Sequence, residues 1–405
     1  MDATKRRLHY IDWLKVLVVL GIFYYHASMP FVYASWMIQN PQKSALLSIY
    51  AVVGYQFGIP LLFLLAGADG WLSLGARTPS AYVLERVKRL LVPLVLGILI
   101  LSPPQSYLMA VSGGYRGSFI QYVPEFFHGI QRPTGPTWLG AYGYHLWFLG
   151  FLFAYAVLAT PGLTWLRAHP ASLAQLQRWV GRPGGPLLLG LPLVACQLLL
   201  RASFPAYQDW SDACLWLACY GVGAVLVSDP RYMAAVESQV GREGLWTLAA
   251  GLVLAALAAT GLVAGWEAHP AYTPGYLLYI GLRTAFAWGC VLLCLNLGLR
   301  WLDRGSRLLT RANEAVMPFY VIHHPVVVAM AFIAVQWETG VWPKQLFVVV
   351  SAFALTVAIY EVLVRPFDPV RRALGLKPRR RPGSPEGGST SAYELRPDRS
   401  AASPL

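Results

Sequence analysis

Apolar residues in this chain run in long blocks that short polar or basic segments interrupt. Ten such blocks lie near 13–34, 45–72, 90–111, 143–163, 186–203, 212–228, 245–265, 276–299, 313–335 and 344–365. A helix that crosses a bilayer needs about 20 mostly apolar residues. Only helices and closed barrels satisfy their backbone in lipid, and barrel strands are about 10 residues long and alternating. The pattern predicts an all-α polytopic membrane protein with about ten transmembrane helices. The first block is longer than the core of a signal peptide, and no clear small-x-small cleavage site follows it, so a retained helix is expected there.

Composition supports this reading. Hydrophobic residues make up 56% of the 405 and charged residues 13%, whereas a soluble domain carries about a quarter charged residues. The net charge of +13 resembles that of a nucleic-acid binder, but its distribution has a better explanation. With the N-terminus in the cytoplasm, most of the 32 Lys and Arg fall in cytoplasmic segments. That bias predicts an even number of spans with both termini cytoplasmic. The partners of the basic residues are then membrane lipids, and no nucleic acid is expected. One membrane domain is expected over 1–370. Residues 371–405 form a tail, basic at "KPRRR" and then rich in Pro, Gly and Ser, with no periodic apolar face and hence expected to be disordered. No soluble catalytic domain is attached, so any chemistry must come from helices and short loops. The five cysteines all lie in the blocks and show no metal-ligand spacing, which predicts buried free thiols and no metal site.

A few polar residues inside the apolar blocks carry the candidate chemistry. Lys15 and His26 are eleven residues apart, about 16 Å along a helix and about 20° past three full turns. They share one face, with the lysine near the helix start and the histidine about half-way across. An ionisable group at that depth is costly, which makes it a candidate functional residue. Arg86 and Arg89 follow the second block and face the same way if a helix has begun there. Such a pair suits phosphate groups, and a plain basic loop is the alternative. "YGYHLWFLGF" puts His145 beside Trp147 at the start of the fourth block. "NEAVMPFYVIHHPVVVAMAF" puts His323 and His324 inside the ninth, just before Pro325. Two adjacent imidazoles do not face the same helix side, so at least one is expected to line a cavity. Pro325 also frees a carbonyl one turn earlier that needs another partner. Asp12 is too far from His26 to orient it and is better placed to pair with Lys15 at i, i+3. The remaining charges, Asp69, Arg283, Glu314, Glu361 and Arg365, are expected mainly to form structural pairs.

Taken together, these segments resemble the acyltransferase 3 family of integral-membrane acyltransferases. The resemblance rests on Lys15 and His26 in "IDWLKVLVVLGIFYYH", on Arg86 and Arg89 in "ERVKRLLVP", and on "HLWFL" and "FYVIHHP". It spans about residues 8–368. Within the family the chain is most similar to the glucan-biosynthesis protein C subgroup, which modifies periplasmic glucans with succinyl groups. "YEVLVR" in the last block adds to that similarity. The resemblance implies an O-acyltransferase of the bacterial inner membrane. It would move an acyl group from cytoplasmic acyl-CoA, a donor substrate and not a resident cofactor, to a hydroxyl of an extracytoplasmic carbohydrate.

On this reading Lys15, Arg86 and Arg89 hold the donor phosphates and His26 acts as general base or, alternatively, as acyl carrier. His323 or His324 stabilises the oxyanion, His145 contributes to substrate binding, and Arg283 is a candidate partner for a succinyl carboxylate. A homo-oligomer is compatible with all of this. Two other classes stay open from the sequence: a transporter of a lipid-linked or anionic substrate, which needs no acyl donor, and a scaffold indifferent to loss of His26.

Overall fold

The computed structural model describes residues 8–130 and 135–379. It is helical throughout, with no strand among the described residues. Arg132 and residues 380–405 of the expected tail lie outside the described residues. A short helix, Asp368–Ala373, spans the expected tail boundary. Its Arg371 reaches back to Glu314 at 2.7 Å.

The helices used below are α1 His9–Ser28, α2 Ala45–Leu74, α3 Pro79–Arg86, α4 Val92–Ile100, α5 Ser102–Ser112, α6 Trp147–Ala168, α7 Leu191–Leu200, α8 Trp210–Leu226, α9 Val240–Ala259, α10 Pro274–Trp301, α11 Arg307–Ala334 and α12 Val341–Ile359. All ten apolar blocks are largely helical. Among the described residues, seven helical stretches are long and apolar enough to cross a membrane, and an eighth counts if α8 is joined to Pro230–Ser238 across a 104° bend. The prolines explain much of the difference from ten. Pro103 and Pro104 open α5 and divide the third block into α4 and α5. Pro186 and Pro192 sit in the first turns of Gly185–Leu188 and α7, which divide the fifth. Proline lacks the amide that an uninterrupted helix needs.

Several starts are set by hydroxyl caps. Ser44, Thr78, Thr273 and Ser306 accept a backbone N–H at the beginning of α2, α3, α10 and α11, satisfying donors the helix cannot. In lipid, helices associate through close packing at small residues. The α2–α8 pair follows this rule: a Cβ at Gly67 would run into the Tyr220 carbonyl, and one at Gly223 into the Leu64 carbonyl. The start of α1 meets the end of α2, where Lys15 pairs with Asp69 at 3.0 Å. The two helices therefore run antiparallel.

Candidate active site

Four imidazoles from three helical segments converge in the core. His26 comes from α1, His323 and His324 from α11, and His145 from the one-turn helix Tyr144–Leu146 that leads into α6. The His26 ring centroid lies 4.5 Å from that of His324 and 5.3 Å from that of His323. His145 stacks on His324 at 4.5 Å, with the planes 8° apart.

Hydrogen bonds assign the protons. His323 Nδ1 lies 2.7 Å from the Tyr320 carbonyl and 3.2 Å from that of Phe319. A carbonyl only accepts, so in the neutral ring Nδ1 carries the hydrogen and Nε2 a lone pair. His26 Nδ1 is 3.0 Å from that Nε2 and therefore donates to it. His26 Nε2 is left with a lone pair and no protein hydrogen-bond partner among the described residues. His323 is thus the group that orients His26. His324 Nδ1 donates to Gln105 Oε1, and the Gln105 amide is fixed by donating to the Leu101 carbonyl at 2.8 Å. His145 Nε2 donates to the Val321 carbonyl at 3.1 Å. This is the carbonyl that Pro325, four residues on, leaves without its helical partner. His145 Nδ1 is buried without a hydrogen-bond partner among the described residues.

A cavity of about 350 Å³ reaches this cluster. Leu14, Val18, Gly21, Ile22, Tyr25 and His26 give it one wall, a single face of α1 from beside Lys15 to the histidine. Gly54 and Gly58 of α2 help line it, and a Cβ at Gly58 would meet nothing within 4 Å. The room for a long slender ligand thus comes partly from missing side chains. His26 and His145 stand in the lining. His323 and His324 do not; they are 0% and 3% exposed and sit behind the other two. Residues 100° apart on α11 both reach the His26 ring because it lies between them.

At the Lys15 end the cations are largely committed. Lys15 is 3.2 Å from Asp12 and 3.0 Å from Asp69, the i, i+3 pairing expected with Asp12 plus a second carboxylate. Arg86 is buried, its guanidinium 4.7 Å from the Tyr82 ring centroid. Burial works against its charge, yet Tyr82, Glu85, Tyr220 and Asp69 hold its pKa above the ordinary value. The Arg89 side chain is 51% exposed and 3.7 Å from Glu85. The two arginines do not present alike, because the turn Val87–Leu91 is a wider π-helical one. Arg283 lies elsewhere, lining a second cavity and paired with Glu267 at 2.8 Å. The Glu361–Arg365 pair forms as its i, i+4 spacing requires.

Gln105 and Tyr320 were not singled out by the sequence reading. Gln105 had a signal: it is a lone amide after "SPP" in an apolar block. Tyr320 acts through its carbonyl and by donating its hydroxyl to the His145 carbonyl, for which the sequence holds no sign.

The structure is thus a bundle of apolar helices whose core holds four imidazoles beside a mostly apolar cavity. The model of the acyltransferase domain of the acyltransferase 3 family matches residues 8–361. The chain belongs to that family and is an O-acyltransferase of the membrane. Comparison with curated proteins and with solved structures gave no match.

Proposed function

We propose that the protein transfers an acyl group, acetyl or succinyl, from cytoplasmic acyl-CoA to a hydroxyl of an extracytoplasmic carbohydrate, in a bacterial inner membrane. Both termini then face the cytoplasm. The observation that carries this reading is the cavity lined by one face of α1 from Leu14, next to Lys15, to His26, whose Nε2 lone pair is unshared. The roughly 16 Å rise between Lys15 and His26 is comparable to the reach of a pantetheine arm. The acyl-CoA phosphates sit near Arg89 and Arg86, with Lys15 chiefly holding α1 against α2.

His26 acts as the general base. The acceptor oxygen attacks the thioester carbonyl; the new C–O bond forms and the C–S bond breaks. His26 Nε2 takes the hydroxyl proton and passes it to the departing thiolate, so CoA leaves as the thiol. His323 keeps His26 in the tautomer that exposes Nε2. The similarity of "HLWFL", "FYVIHHP" and "YEVLVR" to the glucan-modifying subgroup favours a glucan acceptor and a succinyl donor.

The test is free-CoA release by purified protein with acetyl-CoA and succinyl-CoA in parallel, a neutral glucan oligosaccharide as acceptor, and His26→Ala as control. Release with one donor, lost in the variant, is the expected result. Undiminished release by His26→Ala removes the histidine mechanism. Failure to bind either acyl-CoA removes the acyl-transfer reading and favours transport.

A further inference from the structure

A second cavity, of about 610 Å³, adjoins the first. Tyr25, Tyr55 and Tyr207 line both. The ring centroids of Tyr55 and Tyr207 are 5.2 Å apart, and those of Tyr25 and Tyr55 6.4 Å. Phenol rings therefore form a partition between the space that ends at His26 and the second space.

Tyr207 stands on the turn between α7 and α8, and the next residue, Gln208, has φ +66°. A non-glycine residue in that region is held there at a cost. The restraint is visible. Asp212 accepts the Gln208 amide at 3.0 Å and also pairs with Arg201. Arg201 in turn donates to the Pro205 carbonyl at 3.3 Å and to Gln197 at 2.9 Å. A largely buried ion pair thus braces the turn that positions Tyr207.

The chemistry of the second cavity is balanced. Its lining contains two arginines and two carboxylates, matched as Arg201 with Asp212 and Arg283 with Glu267. An anionic ligand would have to displace a carboxylate from its arginine. A ring with many hydroxyls would instead find both donors and acceptors.

We propose that the second cavity binds the acceptor as an uncharged polyhydroxylated ring, and that Tyr207 on its braced turn selects the hydroxyl that passes the tyrosine partition to His26. The fate of that hydroxyl rests on the acyl-transfer reading; the binding does not. Arg283 then contributes to acceptor binding together with Glu267.

The experiment titrates a neutral glucose trisaccharide, and separately a uronic-acid trisaccharide, into the purified full chain by calorimetry. Ala287→Phe fills the second cavity from its wall, and Ser48→Trp, from half-buried lining, guards against misfolding of the first. Each is expected to weaken neutral-sugar binding about tenfold or more with acyl-CoA binding unchanged, and the uronic sugar to bind about tenfold more weakly than the neutral one. Tyr207→Ala is expected to spread acylation over more hydroxyls, read by NMR of the product. An unchanged sugar Kd in both filled variants, or preference for the uronic sugar, overturns the cavity assignment. An unchanged product pattern overturns the role of Tyr207. Sugar binding without acyl-CoA binding leaves the cavity standing and removes the transfer reading alone.

Discussion

The two cavities meet at the same tyrosines and differ in how their polar groups are satisfied. In the first, the walls are mostly apolar and the imidazoles keep lone pairs with no partner among the described residues, at His26 Nε2 and His145 Nδ1. In the second, the charged groups that face the space are matched within it. Buried polar groups normally find partners, and exceptions point to chemistry. That difference matches the roles proposed above, reaction in the first cavity and acceptor binding in the second.

Substitutions on the two sides of the partition sharpen or break that contrast. The largest effect is expected from His26→Ala: transfer falls by about 10³-fold, within the range of general-base catalysis, while acyl-CoA affinity measured by calorimetry stays put. A comparable loss of affinity would make His26 a binding residue. His323→Ala follows, with kcat down by about 10²-fold and KM for acyl-CoA little changed. His323→Gln should recover part of the rate, because its amide oxygen can accept from His26 Nδ1. Equal kcat for the two variants would leave His323 a packing residue.

Lys15→Met acts on stability instead. It removes the cation between Asp12, which is 0% exposed, and Asp69. The cost expected from breaking such a buried pair is about 3 kcal/mol, seen as a lower thermal midpoint in detergent. No change in midpoint would mean the lysine serves the ligand instead. Gly58→Leu fills the first cavity where a side chain meets open space. Acyl-CoA Kd should rise about tenfold with sugar binding intact, and a rise in both would show that the tyrosines do not separate the sites. Arg89→Ala, at the exposed end, should raise the acyl-CoA Kd only about twofold, in keeping with the small worth of exposed charges.

The sequence was most informative where chemistry is costly. His26, His145, His323 and His324 stand out because imidazoles are rare in apolar blocks, and the freed carbonyl at Val321 follows from Pro325. Their convergence was not legible, since it joins histidines on different segments separated by 119 to 298 residues through packing alone. The helical class followed from the length of the apolar blocks. Where prolines cut them, at Pro103 and Pro192, apolar length overstated the uninterrupted helices. The second cavity escaped because Arg201 and Asp212 sit where "RASFPAYQDWSD" reads as an ordinary connection. The positive φ of Gln208 has no glycine to announce it.

In the mechanism proposed above, the contact between His26 and His323 has a consequence in time. Before transfer it joins two neutral rings. As the proton arrives at Nε2, the His26 ring becomes cationic and its Nδ1–H turns into a charge-assisted donor to an acceptor already in place. The same 3.0 Å contact grips harder part-way through the reaction than at its beginning. Its contribution is thus spent on lowering the barrier rather than on tightening the resting complex.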